Sequence, residues 1–211
     1  MYVLALMPPV LLSAIFGLQP FVEPAYLFRD PLAAAKQAAE LGECCHAYYG
    51  ALSQLGVLVW AASAVVTAFA AALLRHQKDP NNAWQFMLAA GALSTLLVVD
   101  DVFQGHEFVY IRLFGIPEVV TVAIYAVLVV AYLWVFRRMI AAAGPVLLVI
   151  SLFGFAISAV SDLFVSVDTA WGSIMEDGSK LVGIFCWTAF HGWAAWSLLV
   201  QPIRADTGPA D

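Results

Sequence analysis

Between Val98 and Glu118 the chain reads VVDDVFQGHEFVYIRLFGIPE, which brings Asp100, Asp101, His106, Glu107 and Glu118 into one short stretch. Carboxylates beside an imidazole can hold a divalent cation, activate water as a general base, or pass a proton. The stretch lies between two apolar runs, in a chain of which only 11% of residues are charged. Ionisable groups next to hydrocarbon are expensive, so a cluster of them marks a candidate site. Further along stand Asp162, then Glu176 and Asp177 with Lys180 close behind, and finally His191.

If these groups meet, their charges do not balance. Asp100, Asp101, Glu107, Glu118, Asp162, Glu176 and Asp177 are opposed mainly by Lys180 and Arg112. Carboxylates gathered at low dielectric need either a retained proton or a metal ion. The expected ligands of a divalent metal are Asp101, His106, Asp162, Glu176 and Asp177, with Glu107 or Glu118 as general base toward bound water. Oxygen donors with one imidazole suit Zn, Mn or Fe; oxygen alone suits Ca or Mg. Glu118, Glu176 and Asp177 also have a plainer explanation, because a helix N-terminus favours negative charge. Lys180 is expected to pair structurally with Glu176 and Asp177, one helical turn before it. His191, alone at its depth, is expected to be a hydrogen-bonded core histidine.

What must position these groups is a bundle of membrane helices. Of the 211 residues, 63% are hydrophobic, and the mean hydropathy is +0.88. Soluble domains run at about 45–50% apolar. The expected fold is all-α: one polytopic domain over residues 1–201, with about six transmembrane helices near 2–19, 52–74, 83–103, 119–136, 144–165 and 173–200. A polar tail, 202–211, completes the sequence. The Ala-rich segment from Pro31 is too polar to span and reads as an interfacial helix.

With six spans, Arg75 and Lys78, Arg137 and Arg138, and Arg204 fall on one side. The positive-inside rule makes that side cytoplasmic, with both termini there and the acids at the outer level. Helical spacing then sorts the acids. Asp101 shares a face with Ala90, Gly91 and Ser94 and is expected to point into the bundle, whereas Asp100 shares one with leucines and is expected to point away. Ser151, Ser158 and Asp162 form one stripe; Glu176, Lys180, Gly183, Trp187 and His191 form another.

The net charge of −6, with no basic stripe, gives no footing for nucleic acid. Adjacent Cys44 and Cys45, with Cys186, make no disulfide framework and read as incidental thiols. His106-Glu107 is not completed to HExxH, and GxSxG, Walker and GxGxxG motifs are absent. The histidine pair of the alkaline-ceramidase-like membrane hydrolases, four apart on the last helix, is not formed either, because Ala195 stands four residues after His191. Three functions compete. A metal-dependent, hydrolase-like enzyme acting on a lipid or other amphiphile at the outer face of a bacterial inner membrane ranks first. A cation- or proton-coupled transporter or channel ranks second, and a structural or accessory subunit third. The few polar residues in the inner half put the enzyme ahead.

Overall fold

A computed structural model describes residues 2–43, 45–77, 81–164 and 170–206, without the side chains of 163, 164, 170 and 201–206. Among the described residues every regular element is a helix. In order these are α1 (Tyr2–Leu18), α2 (Pro24–Phe28), α3 (Pro31–Glu40), α4 (Ala51–His76) and α5 (Ala83–Phe103). A π-helical turn (Gly105–Val109) comes next, then α6 (Tyr110–Phe114), α7 (Glu118–Val135), α8 (Arg137–Ala143), α9 (Val146–Phe164) and α10 (Ala170–Asp206).

The breaks between helices have local causes. Pro24 and Pro31 open α2 and α3, where a missing N–H costs nothing. Gln104 takes a left-handed conformation (φ 49°) and ends α5; Gly115 (φ 66°) ends α6 before Pro117 leads into α7. Gly144-Pro145 separates α8 from α9, which are bent by 113° to one another. Among the described residues, α4, α5, α7 and the Trp171–Val200 part of α10 are each long and apolar enough to cross a membrane; the bent pair passes the same test together. Helix α1, with 17 residues, is apolar but shorter than the ~20 residues a span needs. The polar helix expected from Pro31 is α3.

The chain forms two compact units. The first joins Met1–Val59 to Val146–Ala189, the second Trp60–Pro145 to Phe190–Asp211, so α4 and α10 each contribute to both. In the first unit Leu27 and Phe28 pack on Leu52 and Leu181, and Tyr26 stacks on Tyr49 at 5.1 Å. Glycines let α9 and α10 touch: a Cβ on Gly154 would come 2.7 Å from the Ser179 carbonyl oxygen. Small residues of this kind replace hydrophobic driving force as the source of helix contact in lipid. In the second unit the Ser63 and Ser94 hydroxyls are 3.4 Å apart between α4 and α5, and Gly91 lies against Thr67. Phe86 of α5 stacks on Tyr132 of α7 at 5.8 Å. Cys186 is a buried free thiol. Cys45 is in a disulfide, which corrects its reading as an incidental thiol; Cys44 lies outside the described residues.

Candidate functional site

The second unit brings several polar side chains together at the end of α5, and the backbone that builds the group is unusual. After Gln104 turns left-handed, the Val109 N–H donates to the Gln104 carbonyl at 3.2 Å and the Tyr110 N–H to that of Gly105. Both bonds span five residues, the wider π spacing, and such turns concentrate at functional sites. The turn brings His106 back against the end of α5, where its Nδ1 meets Asp100 Oδ2. Gly105 makes this possible. A Cβ there would lie 2.3 Å from Asp100 Oδ1 and 2.9 Å from the Tyr110 ring.

Helix α7 supplies the other partner. Tyr125 Oη donates to Asp100 Oδ1 at 2.6 Å. Asp100 is only 4% exposed, and both of its oxygens are engaged. That is what a buried carboxylate requires. The Nδ1 contact fixes the orientation of the imidazole and leaves Nε2 on the other edge, in a residue that is 20% exposed. Glu107 Oε1 lies 3.7 Å from that nitrogen.

Asp100 corrects the sequence reading. Helical spacing points it away from the bundle, yet it is buried and is the acid His106 meets. Spacing alone sets it among leucines, and the π turn then folds polar groups over that face. Asp101 is buried, as expected. Glu118 stands half-buried in the first turn of α7, two turns ahead of Tyr125 on the same face. Tyr125 and Tyr110 do not stand out in the sequence. The spacing from Glu118 to Tyr125 is the signal that could have found the first of them.

The five expected metal ligands divide between the units: Asp101 and His106 lie in the second, Asp162, Glu176 and Asp177 in the first. Among the described residues no three His, Cys, Asp or Glu side chains are grouped to hold a metal ion. Around His106 the reason is plain. Asp100 and Glu107 face opposite nitrogens of one ring and cannot share an ion with it.

In the first unit Glu176 feels two acids, Asp162 and Asp30, and two cations, Lys180 and Arg29. Arg29 and Asp30 stand in this charge environment although helical spacing does not suggest them. Asp30 in turn accepts from Ser53 Oγ at 2.6 Å. Asp162 is exposed, and burial at that end of α9 falls on Ser161 instead. The inward stripe expected to reach Asp162 therefore stops short of it. Asp177 is half-buried one residue after Glu176. His191, in the second unit, is fully buried and shares a 2.8 Å hydrogen bond with Tyr132 Oη, among Phe86 and Phe190. It is the core histidine expected of it, with a partner that the sequence does not name.

Residues 2–194 match the model of a family described as a domain of unknown function, DUF8692. The chain belongs to the DUF8692 family. The matched DUF8692 region takes in every candidate residue from Asp100 to His191. No curated protein and no solved structure matches the chain.

Proposed function

We propose that this DUF8692 protein is an integral membrane enzyme, hydrolase-like, in which His106 removes a proton from water as it attacks a lipid or other amphiphilic substrate. The same imidazolium then returns the proton to the leaving group. Asp100 orients the ring and steadies its positive charge, and Tyr125 keeps that carboxylate in place. Glu107, beside Nε2, is the second acidic group at the reacting position. The positive-inside rule, applied to Arg75, Arg137 and Arg138, favours the outer face of a plasma membrane for this site, a bacterial inner membrane in our reading.

The observation that carries the proposal is the contact of His106 Nδ1 with a buried Asp100 whose two oxygens are both engaged, with Nε2 on the ring's other edge beside Glu107. Purified protein incubated with a bacterial polar-lipid extract should consume at least one lipid species, as seen by mass spectrometry, and His106→Asn should not. Unchanged lipid profiles with wild type would overturn the proposal. A cation- or proton-coupled transporter is the second reading. It is favoured by buried polar groups of the same unit, Ser63 with Ser94 and Tyr132 with His191. Flux into liposomes that Asp100→Asn abolishes, without lipid turnover, would establish it instead.

A further inference from the structure

Contacts inside the second unit fix which helix ends lie together. Ser63 meets Ser94 and Thr67 meets Gly91, so α4 and α5 run antiparallel. Phe86 stacks on Tyr132 and lies 5.5 Å from Phe136, so the start of α5 meets the end of α7. Arg75, Trp84, Trp134 and Arg137 therefore belong to one end of this unit. There the Arg75 guanidinium lies over the Trp84 ring at 5.2 Å, and that of Arg137 over the Trp134 ring at 4.5 Å. Arg138 comes directly after. All three arginines are exposed, and Trp134 is 70% exposed.

The helices α4, α5 and α7 bring no acid to this end: residues 60–77, 81–99 and 119–145 contain no aspartate or glutamate. The last segment of the same unit, 190–211, carries Arg204 with Asp206 and Asp211, whose side chains lie outside the described residues. Lys78 and Asp79, adjacent and of opposite charge, lie outside the described residues. The acids Asp100, Asp101, Glu107 and Glu118 stand at the opposite ends of α5 and α7. An arginine lying over an indole still presents its N–H edge, and that edge matches phosphate oxygens in a fork. Exposed tryptophan sits by preference at the level of lipid headgroups. We propose that this basic end is a docking site for anionic phospholipid headgroups, gripped by Arg75, Arg137 and Arg138 and levelled by Trp84 and Trp134.

The test is native mass spectrometry of the full chain in detergent, with phosphatidylglycerol or phosphatidylcholine added in equal amounts. Wild type should retain phosphatidylglycerol in preference. Arg75→Gln and Arg137→Gln should each lower that preference about five-fold, the equivalent of the ~1 kcal/mol a basic residue contributes near an anionic surface. Circular dichroism of each variant checks that the helices are kept, and exposed Arg138→Gln provides a third variant should one of these misfold. Equal retention of both lipids by wild type would overturn the proposal, as would wild-type preference in the arginine variants. Arg112→Gln removes the same charge from the other end and should leave the preference intact; an equal fall there would show a net-charge effect and overturn it too.

Discussion

In the proposed mechanism His106 and Asp100 act as a unit in which neither residue is replaceable by shape alone. An asparagine at position 100 keeps the size of the carboxylate but can offer N–H to the ring, which would favour the wrong tautomer and remove the negative charge beneath it. Asp100→Asn and His106→Asn should therefore each lower turnover by about 10²–10⁴, the usual share of general acid–base catalysis. The effects should not add, because both remove one device. Lipid turnover by the single and double variants measures this directly. Metal content separates two ways of activating the water. Active protein without a bound divalent ion supports His106 acting on water alone; an equimolar ion that is lost in Asp101→Ala would restore the metal-dependent scheme. Tyr132→Phe addresses the other histidine. It leaves the His191 ring buried with one hydrogen bond fewer, and should lower unfolding stability by about 1 kcal/mol while turnover stays near wild type.

Among the elements, glycine positions discriminate between packing and open space. At Gly105 a methyl group collides with Asp100 and Tyr110, so Gly105→Ala should lower both thermal stability and turnover. At Gly192, within α10, a methyl group meets nothing within 4 Å. Gly192→Ala should raise stability by roughly 0.5–1 kcal/mol, the helical advantage of alanine. Thermal unfolding of both variants makes the comparison. The spans are the legible part of this level: apolar runs predict α4, α5 and α7 closely, the polarity of the segment after Pro31 predicts α3, and α10 continues to Asp206, beyond the expected end of its span at 200. Three things are not legible. A left-handed Gln104 gives no signal in composition. The π spacing after it depends on tertiary fit, so His106 reads as a loop residue and Asp100 as an outward one. A serine stripe points Asp162 inward, but the last turn of α9 buries Ser161 instead. Spacing within a helix is read reliably only up to the point where the helix stops being regular.

For the whole molecule, topology is the property that links both proposals. Cysteines placed at Arg112 and Arg137, in a chain freed of Cys44 and Cys45, should react with a membrane-impermeant maleimide from opposite sides of intact cells and inverted vesicles. Labelling of both from one side would sink the outer-face assignment and leave the Asp100–His106 geometry untouched. The π turn carries a further consequence for the chain as a threaded object. Deleting one residue from Gly105–Val109 would leave every apolar run its length and every charge on its side of the membrane. Removing that residue would nevertheless let the turn tighten to α spacing, rotating α5 by ~100° against α6 and α7. His106 would leave Asp100, and Tyr125 would leave it as well. A lesion invisible to hydropathy would thus disable the proposed chemistry while the bundle still inserted, and single-residue length in this turn should be intolerant of change where the loop at Gly115 is not.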